Sequence, residues 1–237
     1  MTFSMRRVYA IFNKDLKELA TNMFVLSTMV MPIVFALFFG RGQEVPVEMH
    51  VMIINLAFVA VAAYVQSVVI AEEKEKHTLR GLMMSPATTT EILAGKSLVS
   101  ILLTALTVGL CLRLSGFETG NWLLIGAGMA LSLVFYVALG TLLGLLTRSL
   151  MEASVVITPI IFILGMGTIF TELIRNQTIL TVIEYLPNFQ LESLAAAVES
   201  GAGAGDVAGS LALLGGWSAV AIVASVVVYK KREMGGE

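Results

Sequence analysis

Six stretches of this chain contain no Asp, Glu, Lys or Arg: 23–40, 49–71, 97–112, 121–147, 153–171 and 207–229. At the chain's overall rate of 32 such residues in 237, about 17 would fall there by chance, whereas a charge at mid-bilayer costs roughly 2.5–3.5 kcal/mol on insertion scales. A span needs about 20 apolar residues to cross roughly 30 Å of hydrocarbon. The short third stretch reaches that length as 95–114, with Lys96 and Arg113 extending their charged heads to the two surfaces. The pattern predicts an all-α polytopic membrane protein, residues 1–237 forming a single transmembrane domain. Its six spans lie near 23–40, 49–71, 95–114, 121–147, 153–171 and 207–229.

Composition narrows the function. Only 14 % of the residues are charged, against 57 % hydrophobic, which argues against a soluble globule, disorder or a coiled coil. A net charge of −2 offers no basic groove, so no nucleic-acid partner is expected. The single Cys111 excludes a disulfide within a monomer and any cysteine cluster, and His50 and His77 are too few for most histidine-based metal sites. No catalytic, cofactor-binding or metal-binding residue is therefore assigned. The spans contain no ionisable group of the kind that ion-driven transporters place near the midplane. Energy would have to enter through a cytoplasmic partner.

Orientation follows from the basic residues. With both termini inside, Arg6, Arg7, Lys14, Lys17, Lys74, Lys76, Arg80, Lys96, Arg148, Lys230, Lys231 and Arg232 are cytoplasmic, and only Arg41, Arg113 and Arg175 lie outside. That is a strong positive-inside bias. In residues 1–22, Val8, Ile11, Phe12, Leu16 and Leu19 recur at spacings of three and four. This stripe predicts an amphipathic helix lying along the inner membrane surface, its charges largely on the other face. No cleavable signal is read there. On the outer side, 172–206 is too apolar for a plain connector and predicts one or two short helices dipping into the outer leaflet, before the flexible Gly201–Gly205 joint.

Several motifs have structural explanations. Gly95-Lys96-Ser97 ends like a phosphate-binding loop, but the leading glycine of G-x-x-x-x-G-K-[ST] is Thr90 here and the segment enters a span. Gly140-x-x-x-Gly144, Gly126 with Gly128, and Gly165 with Gly167 let helix backbones approach. Pro32 and Pro159 can bend their spans. Asn55 and Gln66 read first as hydrogen-bonding partners between helices.

The cytoplasmic loop 72–96 carries the most information. Glu72–Lys76 extends the second span into water as a charged helical end. Leu79, Leu82 and Met83 then form a short apolar stripe ended by Pro86. A groove on a partner protein or the lipid headgroups could each bury it. Thr88-Thr89-Thr90-Glu91 fits a capping box restarting the helix. The string E-K-E-K-H-T-L-R-G-L-M-M-S-P-x(8)-G-K resembles the signature of ABC-2 type permeases. Glu73, Glu75, Thr78, Leu79, Leu82, Pro86, Gly95 and Lys96 match its positions, with His77 where that family usually has Gly and Arg80 where it often has Glu. The resemblance implies a non-catalytic membrane subunit of an ABC exporter in the plasma membrane of a prokaryote. It would pair with a second permease subunit, identical or related, and with an ATP-binding cassette ATPase that binds the ATP and Mg. On that reading the loop around Thr78–Pro86, Met83 included, couples the ATPase to the spans. The cargo would be apolar or amphipathic, such as a drug, peptide antibiotic or lipid-linked molecule. A secondary transporter or channel without an ATPase is the alternative.

Overall fold

The computed structural model describes residues 3–40, 45–76, 87–171, 174 and 176–235, and among these there is no β-strand. The helices are α1 Met5–Thr21, α2 Met23–Thr28, α3 Val30–Phe39, α4 Val47–Glu75, α5 Thr89–Ser115 and α6 Trp122–Leu146. They continue as α7 Leu150–Gly165, α8 Gly167–Thr171, α9 Gln177–Ile183, α10 Pro187–Glu199 and α11 Ala208–Gly235. Four of them, α4, α5, α6 and α11, are individually long and apolar enough to cross a membrane, and α2–α3 would make a fifth if read with α1 as one bent span. The chain is thus an all-helical polytopic membrane protein.

The organising element is α4. Every residue from His50 to Ala71 is buried, as expected of a helix that is apolar all round and needs neighbours on every side. Its polar side chains are met by other helices. Gln66 donates to Thr141 Oγ1 (3.0 Å) and accepts from Ser100 Oγ (2.7 Å), joining α4 to α6 and α5. Asn55 Nδ2 donates to the Asn188 carbonyl at 3.1 Å, joining α4 to α10. Both asparagine and glutamine therefore bridge helices, as their positions suggested. The glycine pair of α6 works at shorter range. A Cβ on Gly140 would lie 2.3 Å from the Ala63 carbonyl oxygen, and one on Gly144 would lie 2.6 Å from that of Ser67, so α6 and α4 touch backbone to backbone. On its other side α6 receives α11, where Ser218 and Ser225 each donate at 2.8 Å to Leu131 and Ala138 carbonyls. Donors seven residues apart meet acceptors seven residues apart, the repeat of two helices packed nearly parallel.

Two of the six charge-free stretches are not single helices. The first divides at Met29 into α2 and α3. Pro32 sits in the first turn of α3, three residues after that break. The fifth contains Pro159, and a π-helical turn follows over Ile161–Gly165 before the chain restarts as α8. Proline removes one donor from the ladder, and a wider turn is one way of accommodating that. A second π-turn, Phe58–Ala63, lies inside α4.

Among the described residues of 172–206 are two helices, α9 and α10, and α10 packs against α4, α6 and α11. Pro187 stands at its first position, which suits a residue with no N–H to donate. The Asn55–Asn188 contact lies eight residues into α4, about 12 Å along the helix axis. The segment thus re-enters the bundle with the N-terminal end of α10 deepest.

α1 departs from expectation. Its apolar stripe faces the protein: Val8, Ile11 and Leu19 are buried, and α1 packs along α5. The stripe that pattern assigned to the lipid surface is the docking face onto the bundle.

Candidate functional site

The site lies where α1 meets the ends of α4 and α5, which flank the loop read above as the coupling element. Thr78, Leu79, Leu82, Met83 and Pro86 lie outside the described residues. Glu73, Glu75, Gly95 and Lys96 are within them.

Consecutive positions on a helix point about 100° apart, so neighbouring side chains reach different partners. Glu73, Lys74 and Glu75 use that geometry at the end of α4. Glu73 turns inward, to Lys96 Nζ of α5 at 2.9 Å and Lys14 Nζ of α1 at 2.7 Å. Lys74 Nζ donates to the carbonyls of Leu145 (2.8 Å) and Thr147 at the C-terminal end of α6, where orphan acceptors and the negative end of the helix dipole favour a cation. Glu75 Oε2 accepts from the Leu150 N–H at 3.0 Å, at the opening turn of α7, where a carboxylate is favoured. One short run of alternating charge thereby ties α4 to four other helices. The expectation that Glu72–Lys76 simply extends into water fails at Glu73, which is 4 % exposed. Glu72 and Lys76 do form an exposed i,i+4 pair at 2.7 Å.

Lys96 is the cation at the centre. It is 1 % exposed and lies 3.1 Å from Asp15 as well as 2.9 Å from Glu73. Asp15 belongs to the buried stripe of α1 and is 2 % exposed. Burial pushes its carboxyl above the usual range, Lys96 opposing and Glu73 adding to the shift. For Lys14, burial pulls downward but the hydrogen bond and charge of Glu73 prevail, so its ammonium is held above its ordinary value. A cavity of about 60 Å³ lies beside this cluster, lined by Lys14, Asp15, Glu18, Glu72, Glu73 and Lys76 among others. Six of its eight lining residues are charged, and it is large enough to hold water.

The residue before Lys96 completes the joint. A Cβ on Gly95 would come within 2.8 Å of Ile11 Cβ and 3.0 Å of the Val8 carbonyl oxygen. Gly95 therefore lets α1 lie directly on α5, and Lys96 supplies the charge that Asp15 meets. Gly95-Lys96 lies within continuous α5, so its resemblance to a phosphate-binding loop ends at the letters. One turn earlier the expected capping box is present: Thr88 Oγ1 accepts from the Glu91 N–H, and Glu91 Oε2 accepts from the Thr88 N–H. Glu91 also pairs with Arg7 at 3.0 Å and accepts from the Ser4 N–H, pinning the start of α1.

Sequence reasoning placed Glu73 and Lys96 in one motif but missed Asp15, Lys14 and the Glu91–Arg7 pair. The signal for Asp15 was present. It falls four residues after Ile11 and four before Leu19, inside the apolar stripe, where a lone carboxylate demands a buried cation. A larger side chain at Gly95 should lift α1 from this seat. Gly95→Leu is expected to leave the protein in the membrane while raising protease cleavage within α1 several-fold over the parent, and cleavage at the parental rate would show that α1 does not rest on this glycine.

Fold and site together define a polytopic helical membrane protein whose buried charges, at this end, join the flanks of one loop to an N-terminal helix. Residues 49–227 match the family model described as ABC-2 family transporter protein, and the chain belongs to that family. No curated protein matches it.

Proposed function

We propose that this chain is the permease subunit of an ATP-driven ABC exporter, with ATP and Mg bound and ATP hydrolysed by a separate ATPase subunit. The family match over 49–227 carries this reading, and membership typically implies a non-catalytic membrane subunit. The finer topology is six spans, with α2–α3 as the first and α7–α8 as the fifth, and both termini in the cytoplasm of a prokaryotic cell. Twelve of fifteen basic residues on one side support that orientation. The joint between α1, α4 and α5 is then cytoplasmic, and α10 approaches from the outer side.

The loop 77–86 connects Glu73 to Gly95-Lys96, and both flanks are held by the same buried ions. Movement imposed on the loop by a closing ATPase pair would reach α4, α5 and α1 as one body, since separating any of them strands a charge in a poorly hydrated site. Through α4, buried on every side, the displacement would reach the rest of the bundle. A second permease subunit, identical or related, would complete the pathway, and an apolar or amphipathic cargo suits spans without charge.

Affinity purification of the chain from its native membranes tests the assignment. An ATP-binding cassette ATPase is expected to co-purify, and the complex should show vanadate-sensitive transport. Leu82→Glu with Met83→Glu should abolish transport, and loosen the ATPase, while leaving the permease inserted. Transport sustained by an ion gradient with no ATPase present would overturn the reading.

A further inference from the structure

A cavity of about 350 Å³ opens beside the first turn of α4, about 35 Å along that helix from Glu73 and the charged joint. Its walls include Gly40, His50, Ser115, Phe117, Glu118 and Glu199, and no basic side chain is among the lining residues. Three helices end here: α3 at Phe39, α5 at Ser115 and α10 at Glu199. Their last carbonyls carry the negative ends of the helix dipoles. A Cβ on Gly40 would lie 2.5 Å from the Leu114 carbonyl oxygen, so the ends of α3 and α5 touch backbone to backbone. We propose that this cavity binds a primary ammonium group, with Glu118 and Glu199 supplying the opposite charge and His50 Nε2 accepting one of its N–H bonds.

His50 is 8 % exposed, whereas Glu118 and Glu199 are both exposed. Its Nδ1 lies 3.1 Å from Ser115 Oγ. Ser115 Oγ in turn lies 3.5 Å from the Leu112 carbonyl oxygen, which can only accept. The hydroxyl proton turns to Leu112, the ring donates from Nδ1, and Nε2 is left as a bare acceptor. Among the described residues nothing donates to it, and neither carboxylate forms an ion pair. Phe117, its ring centroid 5.1 Å from that of His50, adds a surface that attracts cations. A negative site with an idle buried acceptor calls for a cation that also donates. A metal ion does not donate, and no group of three His, Cys, Asp or Glu side chains among the described residues could share one. A primary ammonium carries one charge and three donors. Such a site would serve with or without an ATPase partner.

His77 is the other histidine of the chain, so full-length protein made with nitrogen-labelled histidine gives two imidazole signals, and His50→Gln identifies which belongs to His50. At about pH 8, in phosphatidylcholine bicelles, imidazole is neutral and an amine is charged. His50 should then show Nδ1 protonated and Nε2 bare, and added ethanolamine should shift Nε2 saturably. Choline, which has no N–H to donate, and sodium should not. Glu118→Gln with Glu199→Gln should raise the half-saturating ethanolamine concentration about tenfold. Glu48→Gln, at an exposed carboxylate of α4 outside the cavity wall, should leave it unchanged.

Bicelles containing phosphatidylethanolamine distinguish the sources. If they bring Nε2 to its saturated position with no amine added, the ammonium belongs to a lipid headgroup; if they leave Nε2 where phosphatidylcholine does, it belongs to a soluble amine. Both outcomes support an ammonium site. The opposite tautomer, a shift matched by choline or sodium, or one untouched by Glu118→Gln with Glu199→Gln would overturn it. So would a ring that ethanolamine never moves in phosphatidylcholine, the result expected if a basic side chain of the chain itself already supplies the cation.

Discussion

Lys96→Met should cost about 3–5 kcal/mol of stability, because it removes one partner of a buried ion cluster and leaves the others charged in place. Asp15 and Glu73, both almost fully buried, would lose their shared buried cation and keep the half-exposed Lys14 as a common partner. The measurement is the fraction of monodisperse protein surviving a heating series in detergent, with Lys76→Met as reference. Lys76 is exposed and pairs with its helical neighbour Glu72, so its loss should fall within about 0.5 kcal/mol. The informative variant is the triple change Lys96→Met, Asp15→Asn, Glu73→Gln. With the stranded charges removed, most of the lost stability should return. A triple variant as unstable as Lys96→Met alone would mean that Lys96 acts through packing of its stem and not through charge. The restored protein then addresses coupling separately from folding. On the permease reading it should bind its ATPase while moving less cargo per ATP, because α1 no longer follows α4 and α5.

Much of the fold was legible because lipid imposes a one-dimensional rule: a helix in hydrocarbon cannot carry charge. The stretch 49–71 became Val47–Glu75, 121–147 became Trp122–Leu146, and all but the first residue of 207–229 lies within Ala208–Gly235. The same rule is blind to hydrogen-bond geometry. It could not see that 23–40 breaks at Met29, or that Pro159 precedes a π-turn ending 153–171 as one helix. It also misdirected α1, since an apolar stripe looks the same whether it faces lipid or a neighbouring helix. Asp15 within that stripe decided the matter, but only once Lys96, eighty-one residues away, could be seen beside it. The signature resemblance brought Glu73 and Lys96 together as letters. The structure supplies the chemistry, with Gly95 granting contact and Lys96 supplying the cation for carboxylates from two other helices. The depth of α10 was not legible at all, because it depends on Asn55 meeting a backbone carbonyl 133 positions later.

Gly140→Leu should be the most damaging change away from any charge. At most glycines the surroundings decide whether a side chain can be accommodated, and at Gly126 nothing stands within 4 Å of an added Cβ. At Gly140 the obstacle is backbone: the Ala63 carbonyl oxygen at 2.3 Å, with its carbon and Cα both at 2.9 Å. Backbone cannot rotate aside as a side chain would, so α6 and α4 must separate. Overpacking of a core typically costs about 1–3 kcal/mol, occasionally more. Here the cost should lie at or above the upper end, because the separation also stretches the Gln66–Thr141 bond and the contact at Gly144, on the same seam. Gly126→Leu, on the same helix and equally apolar, controls for the change in composition and should leave the melting profile near that of the parent. Gly140→Ala should fall between them, since its single methyl still meets the carbonyl. Comparable melting of Gly140→Leu and Gly126→Leu would show that α4 and α6 do not meet at the distance described, and the placement of α4 at the centre of the bundle would have to be redrawn. If the ordering holds, the bundle's core is set by main-chain contact between α4 and α6. α4 held in that contact carries Glu73 and Lys74 at one end and, nearer the other, the Asn55 that bonds Asn188 of α10.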